Sequence, residues 1–148
     1  MALVKASLKS AITAIQSSKP TSVVAAATQW SNAIFAYSSA GMAGVTVPTL
    51  NAAALKSLFL ASMNSKKWME KLGADLVTWW TPVPWAGPGF TGVTIVAPPL
   101  NSKPIGNRIL NGEDAATVLS NEIDIWTKTV KVTLTNTNSG ATSTAPVI

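Results

Sequence analysis

The chain has no cysteine and no histidine, and only 11% of its 148 residues are charged. Without cysteine there can be no disulfide and no thiolate metal site. Without histidine the commonest general base near neutral pH is missing. Six carboxylates, ten lysines and one arginine remain for chemistry. The sequence therefore favours a non-enzymatic protein, with no catalytic residue, no cofactor, no metal and no small-molecule substrate.

The few charges are unevenly distributed. Residues 1–73 carry seven lysines against the single acid Glu70, whereas residues 74–148 carry four basic and five acidic side chains. Nucleic-acid readers usually present clustered arginines, but here the lysines are spread out and Arg108 is the one arginine. We therefore favour protein packing over nucleic-acid binding as the interpretation of this sequence. A surface with few charges does little to oppose association, which favours contacts with neighbouring copies or partners.

Two stretches without charge, Pro20–Leu55 and Leu76–Ser102, are long enough to raise the question of a membrane span. Polar residues interrupt the first stretch, and five prolines interrupt the second. The N-terminus also lacks the apolar core of a signal peptide. We therefore expect no membrane span and a product kept in the cytosol. A small membrane-active protein that inserts Pro20–Leu55 remains one alternative, and a nucleic-acid-associated protein that uses the N-terminal lysines is the other.

Apolar residues at helical spacing predict most of the architecture. A first helix is expected at Ala2–Ser17, and a second follows an N-cap at Thr21 or Ser22 and stops at Gly41 and Gly44. Thr49 or Asn51 could cap a third helix, and Trp68, Leu72, Leu76 and Trp79 mark a fourth segment. Residues 64–67 between them are either a turn or part of one long helix. A last helix is expected to begin at Asn111, with Glu113 and Asp114 in its first turn, and to run to Trp126.

Prolines and glycines from Thr81 to Gly112 exclude a long helix and predict an extended loop with one short strand at Val93–Ala97. Loops of this length are usually functional or lie against a partner. Trp80, Trp85 and Phe90 are therefore candidate interface residues, because aromatic side chains dominate interface hot spots. The other tryptophans lie on apolar helical stripes and are predicted to be core residues: Trp30, Trp68, Trp79 and Trp126.

Alternating apolar and polar residues after Lys128 predict a half-buried strand that carries Val130, Val132 and Leu134. Its partner is either the strand at Val93–Ala97 or a strand from another subunit, so these three residues are also candidate interface residues. Residues 136–148 are predicted to be a tail that is ordered only if something holds it. Removing this tail is expected to leave the monomer folded but to impair assembly.

The predicted fold is mainly α. It consists of a small helical bundle with a long Pro/Gly-rich loop and one or two short β-strands near the C-terminus. Residues 1–135 form a single helical domain that includes the loop at 81–112, and residues 136–148 form the C-terminal tail.

Three segments carry a resemblance to a known class of proteins. They are the Ala-rich helix at Ala25–Ile34, the Phe90-Thr91-Gly92 segment followed by Ala97-Pro98-Pro99, and the ending Ile123–Val130 that leads into a Thr/Ser/Gly-rich tail. With these features the chain resembles small virion structural proteins of tailed bacteriophages. The resemblance implies a non-catalytic subunit of a ring or sheath-like assembly in the neck, tail or baseplate. It also implies assembly in the host cytoplasm with copies of itself and other virion proteins.

Overall fold

The computed structural model describes residues 2–96 and 99–148, in which six helices and five strands alternate along the chain. In chain order the elements are α1 (Lys5–Ser18), α2 (Val23–Ser39), β1 (Val47–Pro48), α3 (Ala52–Asn64), α4 (Trp68–Trp80), β2 (Pro84–Gly87), β3 (Phe90–Val96), α5 (Lys103–Leu110), α6 (Ala115–Thr127), β4 (Lys131–Asn136) and β5 (Thr142–Pro146).

The five strands form one antiparallel sheet in the order β1-β2-β3-β4-β5. Helices α3 and α4 lie between β1 and β2 in the chain, and α5 and α6 lie between β3 and β4. The fold is therefore mixed α/β, and the prediction of a mainly α protein with one or two strands is wrong in its sheet content. The error has a physical cause: strands such as β5, with the sequence TSTAP, carry too few apolar residues to produce a visible alternation.

The helices contact one another in a closed series. Each helix packs against the next one in the chain, from α1 to α6, and α6 also packs against α1. One continuous hydrophobic core joins these helices to the inner face of the sheet, because Leu8, Phe59, Leu76, Trp85 and Val132 belong to the same buried cluster.

Local capping explains where α2, α3 and α6 begin. The side chains of Ser22, Asn51 and Asp114 each accept a hydrogen bond from the backbone N–H three residues later, at 3.0, 3.1 and 2.9 Å. This confirms Ser22 and Asn51 among the predicted caps. The last helix begins at Ala115 rather than Asn111, because Gly112 adopts a φ of 96° that no helix can contain.

The segment at 64–67 is a turn that separates α3 from α4. Lys66 adopts a φ of 59°, in the left-handed region, and its N–H donates to the carbonyl of Met63 at 3.0 Å. Residues 49–80 therefore hold two helices and not one.

The segment at 81–112 is more ordered than predicted. Strands β2 and β3 form a hairpin whose turn contains Gly89 at a φ of 74°, and α5 follows. Pro104 does not disrupt α5 because it lies in the first turn, where its missing N–H would have no partner within the helix. The expected strand at Val93–Ala97 is part of the longer β3, although Ala97 lies outside the described residues.

The C-terminal segment belongs to the sheet. Strand β5 pairs with β4 over Thr142–Pro146, and the side chain of Val147 is fully buried. The backbone N–H and C=O of Ile148 both bond to Met42, at 2.9 and 3.0 Å. The chain's own β4 and Met42 therefore hold this segment, which the sequence predicts to be ordered only if something holds it.

Among the helices in residues 2–96 and 99–148, none is long and apolar enough to cross a membrane. The uncharged stretch Pro20–Leu55 folds instead as α2, β1 and the beginning of α3.

Candidate interaction surface

Five of the six candidate interface residues are buried in the interior of the single chain. Trp80, Val130 and Val132 are completely buried, Trp85 is 2% exposed and Leu134 is 5% exposed. Side chains that the chain itself covers offer no surface to a partner, so the interface prediction is corrected for these five. Phe90 is half-buried and packs against the core.

The pleat of the sheet explains this burial. Trp85 on β2 pairs with Gly92, and Gly92 pairs with Leu134 on β4, so these positions share the face that points toward the helices. The ring of Trp85 stacks on that of Trp80 at the end of α4, with centroids 6.0 Å apart, and its Nε1–H donates to Thr94 Oγ1 at 3.1 Å. Trp80 and Trp85 therefore join the helices to the sheet.

Both sides of β4 are occupied within the chain. Strand β3 pairs with one side of it and β5 with the other. Of the two partners considered for this strand, the internal one is confirmed, and no side of β4 remains for a strand from another subunit.

The other face of the sheet, here called the outer face, points away from the helices. One cross-strand row contains Val47, Ala86, Thr91, Thr135 and Thr142, as the pairing register shows. The next row contains Pro84, Val93, Thr133 and Thr144, and Lys131 lies opposite Pro146 beyond it.

The outer face is exposed and almost without charge. Val47 is 46% exposed and Val93 is 54% exposed, while threonine, alanine and proline surround them. Lys131 at the end of β4 is the single charged residue in the two rows and the Lys131–Pro146 pair. Depletion of charge is the compositional mark of the centre of protein interfaces. The face can therefore be buried against another protein with little cost of desolvating charge.

The buried phenol of Tyr37 and the buried carboxylate of Asp124 are engaged in structural contacts. Tyr37 Oη donates to Asp124 Oδ1 at 2.7 Å, and Lys128 Nζ contacts Asp124 Oδ2 at 2.8 Å. Burial raises the pKa of the Tyr37 phenol far above its usual value, and the hydrogen bond and charge of Asp124 add to the rise. This cluster ties α2 to α6 and holds the phenol protonated.

A second buried carboxylate joins α3 to α4. Ser62 Oγ donates to Asp75 Oδ2 at 2.6 Å, and Asp75 is 8% exposed. Burial raises the pKa of the Asp75 carboxyl, whereas the Ser62 hydrogen bond and the charge of Lys71 oppose the rise. With one hydroxyl as its near partner, this carboxylate serves to connect two helices.

The exposed carboxylates of the C-terminal half also have structural partners. Arg108 binds Glu113 through Nε and Glu122 through Nη1, both at 2.9 Å, and so links α5 to α6. The Arg108 hydrogen bond lowers the pKa of the Glu113 carboxyl, and hydrogen bonds from Thr117 lower that of the N-cap Asp114. Within the described residues, no group of three acidic side chains could hold a metal ion.

A shallow groove runs between α1 and α2, with a volume of about 490 Å³. Its walls are mainly alanine, with Val4, Leu8 and Tyr37 at the sides. The Tyr37 hydroxyl is already bound to Asp124, so the groove presents no free titratable group. Its lining is therefore mainly apolar.

The outer face was missed at the level of sequence, although a signal for it exists. Thr133 and Thr135, and again Thr142 and Thr144, alternate with residues that face inward. Because threonine is common both in exposed strands and in loops, the pattern identified β4 but did not identify β5 or the shared surface.

Comparison with protein-family models, with curated proteins and with solved structures gives no match to this chain.

Proposed function

We propose that the protein is a non-enzymatic structural subunit of an oligomeric assembly, and that the assembly is a virion component of a tailed phage in the neck, tail or baseplate. The observation that carries the proposal is the exposed, nearly uncharged outer face of the sheet. The resemblance of the sequence to small phage structural proteins supports the kind of assembly.

Two further features support this proposal. The carboxylates Asp75, Asp114, Glu113, Glu122 and Asp124 all have structural partners, which leaves little for acid–base chemistry. Four of the tryptophans also lie in the core, where Trp79, Trp80, Trp85 and Trp126 are each at most 4% exposed. A folded unit with a nearly uncharged face suits repeated packing between identical subunits.

The first test is the mass of the purified protein in solution, measured by light scattering over a range of concentrations and accompanied by negative-stain images. We expect a defined oligomer, or rings or tubes, that forms as the concentration rises. A strict monomer at high concentration would refute self-assembly.

A substitution on the outer face tests whether this surface carries the assembly. Val93→Lys places a charge at the middle of the face, where a partner would have to desolvate it, and we expect the oligomer to dissociate at least tenfold more readily. Ile125→Lys on α6 is the matched control, because Ile125 is 59% exposed and also β-branched but lies in the helical layer. Equal effects of the two substitutions, or no effect of Val93→Lys, would assign the assembly to a different surface.

A further inference from the structure

The outer edge of β5 is an open strand edge. Asn136 N–H donates to the carbonyl of Ala141, and Val147 N–H donates to the carbonyl of Val130, so the odd-numbered residues of β5 bond to β4. In an antiparallel pair the bonding direction alternates, so the backbone groups of Thr142, Thr144 and Pro146 point away from β4.

These outward groups have no partner within the described residues. The N–H groups of Thr142 and Thr144 meet no acceptor there, and both residues are exposed. The same edge is already paired further along, because Ile148 exchanges both of its backbone bonds with Met42. The geometry of this edge is therefore suited to pairing with a neighbouring segment of backbone. At one end of the edge, Met42 already pairs in this way.

The usual protections of a free edge are nearly absent. Natural sheets block their edges with lysines, bulges, prolines or covering loops. The chain carries no charge from Val132 to Ile148, and β5 pairs with β4 in a continuous register without a bulge. Pro146 at the last position is the one blocking residue, and it leaves two donors and three carbonyls available.

We propose that a second copy of this chain pairs with this edge, β5 against β5 in antiparallel orientation about a twofold axis. With Thr142 of one copy opposite Thr144 of the other, each such pair exchanges two N–H to O=C bonds, and both pairs form because the axis repeats them. The edge is self-complementary in this arrangement and brings no like charges together. The product is one ten-stranded sheet.

This inference rests on the proposed assembly function and adds a contact at the β5 edge to the contact proposed for the outer face. Thr142, Thr144 and Pro146 belong both to the β5 edge and to the outer face. Edge pairing therefore joins two outer faces into one nearly uncharged surface about 48 Å wide, from ten strands at about 4.8 Å each. A surface of this width is available for further subunits.

The test compares Thr144→Pro with Thr144→Val in the full-length protein. Residue 144 makes no backbone hydrogen bond to β4, so proline at this position removes only the outward N–H. Pro146 already has the same effect two residues later. Valine keeps both the N–H and the preference for a strand. Each dimer loses two hydrogen bonds in Thr144→Pro, so we expect its dissociation constant to rise by roughly tenfold or more. Thr144→Val should change it by less than about threefold. Melting curves of both variants report whether the monomer fold is retained.

Amide hydrogen exchange gives a second, independent readout on the unmodified protein. The amides of Thr142 and Thr144 should exchange rapidly in dilute solution and become protected as the oligomer forms, whereas those of Ser143 and Ala145 should be protected throughout.

The outcomes separate this inference from the proposed function. If the protein oligomerises but Thr144→Pro has no effect and the Thr142 and Thr144 amides stay unprotected, copies meet through another surface and the edge inference is wrong while the assembly function stands. If the wild-type chain remains monomeric at every concentration, both are wrong. If dissociation follows Thr144→Pro and protection follows assembly, the edge inference is supported.

Discussion

The environment of Asp75 predicts how its contribution to stability depends on pH. Its carboxyl is 8% exposed between α3 and α4, and burial raises its pKa in the folded chain. A raised pKa means that the folded state holds the proton more tightly than the unfolded state does. The contribution of Asp75 to stability is therefore fully present below its unfolded pKa, which lies near about 3.9. It is lost as pH rises through the higher folded value.

We expect Asp75→Asn to remove this dependence on pH. Asparagine keeps an oxygen that can accept the Ser62 hydrogen bond but does not ionise. The stability of the variant relative to the wild type should therefore increase as pH rises from about 4 toward neutrality. Urea unfolding at a series of pH values measures the difference.

Glu113→Gln provides a control of opposite sign. Arg108 lowers the pKa of the Glu113 carboxyl, so the stability that Glu113 contributes is present above its unfolded pKa and is lost as pH falls. The deficit of this variant should appear at neutral pH and disappear in acid. A difference between Asp75→Asn and wild type that does not change with pH would show that burial does not control the Asp75 carboxyl.

At the scale of elements, α4 depends on the close approach of the segment that precedes α5. A Cβ on Gly73 would lie 1.7 Å from the carbonyl oxygen of Leu100. The Gly73 N–H also donates to Ser102 Oγ at 3.1 Å, and Ser102 Oγ donates to the carbonyl of Glu70 at 3.1 Å. The glycine and the serine together hold residues 100–102 against α4.

Gly73→Ala should therefore destabilise the protein, although alanine usually stabilises the interior of a helix by up to about 1 kcal/mol relative to glycine. Displacing a backbone carbonyl should cost about 1–3 kcal/mol net, as overpacking does. Thermal or urea unfolding measures the loss. Gly106→Ala in α5 is the control, because its Cβ would meet Cγ of Met69, a flexible side chain that can move. A Gly73→Ala protein as stable as wild type would show that this contact is loose.

At the scale of the whole molecule, the C-terminal strand completes the fold. Val147 is fully buried, and Cγ1 of Val147 lies 2.9 Å from the position that a Cβ on Gly41 would take. Without β5, strand β4 would lose its partner on one side, and the inner face would lose Val147. Assembly through β5 therefore uses an element that also belongs to the monomer.

We expect removal of residues 142–148 to cost at least about 2 kcal/mol of stability, because the burial of Val147 alone is worth about that much. The change should appear as a lower melting temperature together with loss of any oligomer. Val147→Ala, which keeps β5, should lose part of the stability and retain the oligomer. A truncated chain with wild-type stability that fails to assemble would restore the initial expectation of a separate tail.

Several features follow from local sequence and were predictable from it. The helices at Val23–Ser39 and Ala52–Asn64 repeat apolar residues at helical spacing behind Ser22 and Asn51, which can cap them without help from distant residues. The alternation of Val130, Val132 and Leu134 likewise identified β4. In each case the deciding interactions lie within a few positions along the chain.

The sheet and the surface that it presents depend on contacts between distant residues. Phe90 on β3 pairs with Asn136 on β4, and Val47 on β1 pairs with Ala86 on β2, so the backbone pairings that join the hairpins and β1 into one sheet link residues far apart in the sequence. The burial of Trp80 and Trp85 follows from the same pairing, since the hairpin turns Trp85 toward α4. Local residues thus determined the helices other than α5 and the shortage of chemical groups, because capping, periodicity and composition act at short range. Tertiary structure alone decided which aromatic residues are buried and which strand edge stays open, because a strand acquires its faces and edges only from the strands that pair with it.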